Sequence, residues 1–335
     1  MEIREPAPSG KSPLKWLGPL VGFALLCLAA WIFSRVLGKY EPGEVVRRMR
    51  EIPATRILLA VPCMLLSYLG QAAYEYLGLR SMCSGASPAR CLLAAFIGNT
   101  FTNNMGFSLL TGVSLRYRFY SAWGYSPVEI ARVVVLAKLA FLNGLLMFTG
   151  ILYMIRPVKM PASFPLGLPP PLLLGLLLCL PTLALLAWNA AGRGNVIRAG
   201  KLRLLRPPQK LLLGQLAVSC LHFVMSALVL FLLLPRAAFP AFDFLSAFMA
   251  VKLTTLCFPI PGSLGVLEGT AVALLTPAIP AYPLLGALLA YRVVYYLLPF
   301  GLAIVLLAGY EVGSKFRLSP RPPRANAFSG SPGKS

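Results

Sequence analysis

The sequence predicts an all-α polytopic membrane protein, and three observations carry that prediction. Apolar residues make up 58% of the chain and charged residues only 12%, with a mean hydropathy of +0.75. Apolar runs of about twenty residues recur, the length that crosses roughly 30 Å of hydrocarbon. Two polar stretches interrupt this rhythm, Gly98 to Gly106 and Lys252 to Gly262. Hydrocarbon cannot satisfy freed backbone N–H and C=O groups, so such interruptions persist at membrane depth only when buried in protein or lining a wet cavity. About six full spans and two interrupted or re-entrant segments are expected, the paired interruptions marking a binding site.

Residues 1–15 read as an N-terminal tail. The run 16–38 is long for a signal peptide and no small-residue cleavage site follows it, so a retained span is expected. Further spans are expected near 57–79, 132–155, 170–190, 211–234 and 282–310. Between them, 90–115 and 243–277 are apolar but broken, each compatible with a crossing, a re-entrant pair or two half-helices meeting inside the bilayer. Ser126-Pro127-Val128-Glu129 reads as a capping box with proline at the first helical position, starting the helix that carries Lys138. Asp243 is expected to cap the second broken segment. One membrane domain over 16–314 is followed by a basic tail, 315–335, rich in Pro, Ser, Gly and Arg, where disorder is expected.

The net charge of +21 does not indicate nucleic acid, because the basic residues cluster between apolar runs and no basic globular domain carries them. The segment from Gly192 to Lys210 holds Arg193, Arg198, Lys201, Arg203, Arg206 and Lys210, whereas Arg156 to Pro171 holds only two basic residues. The positive-inside rule therefore puts 192–210 and the C-terminal tail in the cytoplasm. At the N-terminus Arg4, Lys11 and Lys15 compete with Lys39, Arg47, Arg48, Arg50 and Arg56. Inside is preferred, since two re-entrant segments entering from opposite faces give an inverted repeat, for which Ala95-Phe96 with Thr102 against Ala247-Phe248 with Thr254 is the trace.

Seven cysteines and a single histidine include no Cys-x-x-Cys pair, so neither a metal site nor a disulfide framework is expected, nor any cofactor. Cys83 and Cys91 lie close enough in sequence to pair, but small buried fillers are the plainer reading. His222, in an apolar run, reads as a satisfied buried histidine.

Polar residues at membrane depth are the candidate site. Arg292 lies about 6 Å along the helix axis from the middle of the last span, too deep to snorkel. A charge there costs at least about 2.5 kcal/mol, so it should face inward with a partner. Tyr291, Tyr295 and Tyr296 share or flank its face, and Glu268, beyond Pro261 and Gly262, is the obvious counter-charge. Lys138 and Lys252 are further buried cations, and Glu75, near Arg80, reads as interfacial. The plain alternatives are a structural Arg292–Glu268 pair, interhelical hydrogen bonding by Asn99, Asn103 and Asn104, and close packing at Gly98, Gly106 and Gly112.

Three motifs together carry a family resemblance. Phe96-Ile97-Gly98-Asn99-Thr100 leads through Asn104-Met105-Gly106 to Ser114-Leu115-Arg116-Tyr117-Arg118-Phe119-Tyr120-Ser121. Pro259-Ile260-Pro261-Gly262-Ser263-Leu264-Gly265-Val266-Leu267-Glu268 and Ala290-Tyr291-Arg292-Val293-Val294-Tyr295-Tyr296-Leu297-Leu298-Pro299 follow. Over about residues 10–315 the chain resembles the transmembrane region of lysylphosphatidylglycerol synthases, the flippase half of the bacterial multiple peptide resistance factor, shared with stand-alone membrane proteins. Ser263 stands where many relatives carry a second glycine.

The resemblance implies a bacterial inner-membrane protein that handles lipid: an anionic phospholipid, an aminoacyl-phospholipid or an isoprenoid lipid. The chain ends near Ser335 without the aminoacyl-transferring domain, so synthase activity is not expected. In the mechanism this implies, Arg116 and Arg118 collect an anionic headgroup on the cytoplasmic side. Half-helix ends near Asn103 and Pro261 offer backbone dipoles, with Arg292 as the deep cation. Two rivals remain, a scaffold for a lipid-modifying enzyme partner and a polyprenol- or lipid-dependent transferase, the latter needing an acid–base cluster that Glu75, Asp243 and Glu268, far apart in sequence, do not suggest.

Overall fold

A computed structural model describes residues 40–82, 87–105, 111–158, 169–191, 196–199, 202–205, 208–235, 240–258, 261–276 and 278–316. The first expected span, both termini, Cys27 and Cys83 lie outside these residues. The described chain runs α1 (Pro42–Arg50), α2 (Ala54–Met82), α3 (Pro88–Met105), α4 (Thr111–Ala122), α5 (Pro127–Ile155) and α6 (Pro171–Ala190). A two-stranded antiparallel ribbon follows, β1 (Val196–Ala199) with β2 (Leu202–Leu205), then α7 (Gln209–Leu233), α8 (Ala241–Cys257), α9 (Val266–Leu275), α10 (Ala281–Arg292) and α11 (Leu298–Phe316). A π-helical turn, Val293–Leu297, joins α10 to α11 in one continuous rod.

Among the described residues five helices are long and apolar enough to cross a membrane: α2, α5, α6, α7 and the α10–α11 rod. They coincide with the runs expected at 57–79, 132–155, 170–190, 211–234 and 282–310, so the all-α polytopic reading holds. The ribbon adds a small hairpin to the basic connection without changing the class. Ser126 caps α5 as expected, its Oγ accepting from Glu129 N–H at 3.3 Å while Glu129 Oε2 accepts from Ser126 N–H at 2.8 Å. Asp243 does not cap α8. Proline 240 occupies the N-cap, and Asp243 sits in the first turn, 3.9 Å from Arg156.

Side-chain contacts fix the direction of each rod. Arg56 donates to Leu234 O at 2.5 Å, so α2 starts beside the end of α7. Gln215 donates to Tyr74 O at 2.9 Å, placing the far half of α2 beside the start of α7. Ser246 donates to Leu152 O at 3.3 Å, so α5 ends where α8 begins, on the face where α7 ends. Hence α2 leaves through the same face by which α5 enters, and the intervening α3–α4 hairpin is re-entrant rather than a crossing. Gly286 of α10 packs on Arg48 and Met49 of α1, which returns α10 to the face where α7 ended. The α8–α9 hairpin therefore re-enters from the opposite side.

Two helix–hairpin–helix units, α2/α3–α4/α5 and α7/α8–α9/α10, thus enter in opposite senses, an inverted arrangement. The sequence trace falls on matching elements, Ala95, Phe96 and Thr102 on α3 and Ala247, Phe248 and Thr254 on α8. The hairpin tips meet: Asn104 O would lie 3.6 Å from a Cβ added at Gly262. Helix α6 stays peripheral, with Leu172, Leu173, Leu176, Leu177 and Leu180 exposed as a lipid-facing surface.

Candidate functional site: a cationic cleft where two re-entrant hairpins meet

The second hairpin reverses over Pro261–Ser263, with left-handed backbone at Gly262 (φ 60°), Ser263 (φ 50°) and Gly265 (φ 78°). Glycine adopts this region freely, so Gly262 and Gly265 suit the turn and Ser263 carries strain there. Arg292 supplies the partners that a turn at membrane depth needs, donating from Nη1 to Gly262 O at 2.9 Å and from Nη2 to Ser263 O at 3.3 Å. The same guanidinium grips Glu268 at two points, Nη2 to Oε2 at 2.9 Å and Nε to Oε1. Glu268 Oε2 also accepts from Gly265 N–H at 2.9 Å, so the carboxylate caps the N-terminus of α9. The Arg292–Glu268 pair exists as expected, but its geometry is that of a clamp on the turn. The α9 N-terminus, expected to face a lipid phosphate, is capped by the protein's own carboxylate.

The first hairpin holds a second ion pair that sequence reading missed. Glu75, read as interfacial, is fully buried on α2, and Arg116, read as a cytoplasmic collector, is 3% exposed on α4. Arg116 Nε and Nη2 donate to Glu75 Oε1 and Oε2 at 2.9 and 2.8 Å. Asn99 Oδ1 accepts from Arg116 Nη2 at 2.8 Å, and Tyr120 OH donates to Glu75 Oε1 at 3.0 Å. Gly98 makes room for this pair, since a Cβ there would lie 2.8 Å from Arg116 Nη1. The available signal was Arg116 four residues before Tyr120 on a short helix with no acidic residue of its own. Arg118 does lie at the surface, paired with Glu311 of α11.

Pro299 explains the π turn. A proline in a helix lacks the N–H that would bond the carbonyl four residues back, here that of Tyr295. Tyr68 OH donates to Tyr295 O instead, at 3.1 Å, and Asn104 Nδ2 donates to Tyr296 O at 3.3 Å. Asn104 also bonds Thr100 O at 2.9 Å and Asn103 Nδ2 reaches Tyr68 OH at 3.4 Å, so the asparagines tie the first hairpin to the last rod. The wider turn lets Tyr291, Tyr295 and Tyr296 all face inward, with Tyr291 and Tyr295 stacked at 5.0 Å.

Between the tips lies a cavity of about 220 Å³, an order of magnitude more than one water requires. Arg116, Lys138 and Lys252 line it with Asn99, Thr102, Asn103, Gly262, Ser263 and Tyr295, and no carboxylate does so among the described residues. Lys252 Nζ sits 5.3 Å from the ring centres of Phe248 and Tyr295, 5.8 Å from Tyr291 and 6.0 Å from Tyr296. Ring faces thus steady a cation that would otherwise cost about 2.5–3.5 kcal/mol at this depth. Neither Lys138 nor Lys252 has a carboxylate partner among the described residues. His222, buried and satisfied as expected, bonds Ser67 O through Nδ1 at 3.0 Å and also lines the cavity.

Of the expected site residues, Asn99, Asn103, Arg116, Lys138, Lys252, Gly262 and Tyr295 meet at the cavity. Asn104, Glu268, Tyr291 and Arg292 support its walls from behind, Pro261 opens the turn, and Arg118 stands apart at the surface. Cys91 and Cys179 are buried fillers, Cys91 within 3.3 Å of Tyr120 OH.

A family model described as "Lysylphosphatidylglycerol synthase TM region" matches residues 16–303. An uncharacterized protein of Synechocystis sp. is 28% identical over 298 residues, covering 87% of this chain and 91% of its own. The inner membrane protein YbhN of Escherichia coli is 28% identical over 300 residues, covering 88% and 90%.

Proposed function

The chain belongs to the lysylphosphatidylglycerol synthase TM region family, and from that premise we propose that it is a flippase-like translocase of polar-headed lipids. The observation that carries this reading is the polar cavity between two hairpins that enter from opposite faces. A lipid headgroup in that cavity exchanges its hydration for fixed donors while its acyl chains stay in hydrocarbon. Opposed hairpins offer each face a separate gate, the requirement of alternating access. We place the protein in the bacterial inner membrane, a location in line with the name of its Escherichia coli relative, with the basic connection 192–210 and the C-terminus in the cytoplasm.

The same geometry favours transport over group transfer. Both buried glutamates, Glu75 and Glu268, are held by arginines, leaving no free carboxylate at the cavity wall among the described residues to serve as a general acid or base. The test is lipid exchange in reconstituted vesicles, read with a fluorescent phospholipid quenched from outside. Protein-bearing vesicles should lose more than the outer-leaflet half of the signal, and a loss equal to that of protein-free vesicles for every headgroup class would refute the reading.

A further inference from the structure

We propose that the cavity selects a phosphate headgroup that carries no ammonium, and so excludes the aminoacylated, cationic lipid that the family's name suggests. This rests on the translocase reading for its lipid and on the cavity alone for its charge preference. Glu75 neutralises Arg116, which leaves Lys138 and Lys252 uncompensated on opposing elements, α5 and α8. Lys252 is held in its ring of four aromatic side chains before any ligand arrives, so little side-chain freedom remains to be lost on binding.

Two further polar atoms lie buried beside the cavity without a hydrogen-bond partner. Asn99 Oδ1 is taken by Arg116, which directs Nδ2 elsewhere, and Nδ2 is buried with no hydrogen-bond partner. Thr102 Oγ1 is likewise unpartnered, and both residues line the cavity. Two ammonium groups on opposing walls are donors that a phosphate's anionic oxygens accept in charge-assisted hydrogen bonds. A lysyl or ethanolamine ammonium finds no carboxylate in the cavity among the described residues, and it meets two like charges. The aromatic ring faces are already taken by Lys252.

The measurement is binding in detergent, without transport, read as the thermal shift of the full chain with phosphatidylglycerol, phosphatidylethanolamine, lysyl-phosphatidylglycerol and inorganic phosphate. Phosphatidylglycerol should bind at least about tenfold more tightly than either amine-bearing lipid, the factor that one charge-assisted contact supplies. The Lys138→Gln and Lys252→Gln variants should each lose about that factor while melting like wild type without lipid. Should either melt early, Lys138→Glu replaces it as the readout, since inverted charge should move the preference toward the ammonium lipids. Equal affinity across the lipids, or tighter binding of the lysyl lipid, overturns the proposal while leaving translocation standing. A shift with millimolar inorganic phosphate as large as that with phosphatidylglycerol overturns it too, by assigning the cavity to a soluble anion. Anion-selective binding without lipid exchange would uphold the charge preference and sink the translocase reading instead.

Discussion

Glu75 and Arg116, 41 positions apart in the chain, form a two-point ion pair buried between α2 and the first re-entrant hairpin. The pair is closed on itself and on Asn99, Gly112 O and Tyr120. Removing one partner strands the other charge, at a cost of about 3–5 kcal/mol, whereas removing both leaves only packing to lose. Arg116→Met should therefore lower the melting temperature in detergent far more than the double variant Glu75→Gln with Arg116→Met. Equal losses for the single and double variants would show that the charges are not coupled.

Arg292→Lys separates charge from shape. A lysine keeps the charge opposite Glu268 but cannot also donate to Gly262 O and Ser263 O from a planar fork. Two turn carbonyls lose their partners, at about 1–3 kcal/mol each where buried. Hydrogen exchange should accelerate over residues 262–268 while α5 and α6 stay protected. Exchange unchanged over the turn would show that the clamp is not what holds it.

The strain at Ser263 can be relieved. A non-glycine residue at φ 50° pays about 1–2 kcal/mol, against about 0.4–1 kcal/mol of extra backbone entropy that glycine loses on folding. Ser263→Gly should leave stability level or raise it by up to about 1.5 kcal/mol. Gly262→Ala should lower it by up to about 1.5 kcal/mol, the torsional cost less the entropy gain, because its new Cβ would meet only ordinary contacts at 3.6–3.8 Å. Differential scanning of the two variants against wild type checks both signs.

What the sequence disclosed follows the range of the interactions involved. Spans and breaks were legible because hydropathy and helix-breaking residues are local. The Arg292–Glu268 pair was legible because a deep arginine needs an acid, and Glu268 follows the break of the neighbouring hairpin whereas Asp243 stands at its outer end. Glu75 with Arg116 was not, because that pairing depends on the first hairpin turning back, which parity of crossings decides and no local residue announces. The division of labour at the site was equally hidden. Arg292 looked like the ligand-binding cation, yet the clamp geometry commits it to the turn and leaves the cavity to Lys138 and Lys252.

Pro299 offers the sharpest separation of stability from function. In Pro299→Ala the new N–H can bond Tyr295 O, the carbonyl that Tyr68 now serves at 3.1 Å, and the π turn can close to a regular α-helix. Relief of proline in a helix interior contributes about 3 kcal/mol, while the displaced hydrogen bonds of Tyr68 and Asn104 are worth about 1 kcal/mol each. The balance favours a level or higher melting temperature. A regular helix, however, rotates Tyr295 and Tyr296 away from Lys252 and withdraws two walls of its aromatic ring. Lipid exchange in vesicles should therefore fall while the protein melts no earlier. A variant that melts early yet exchanges lipid at the wild-type rate would show that the turn serves the fold alone.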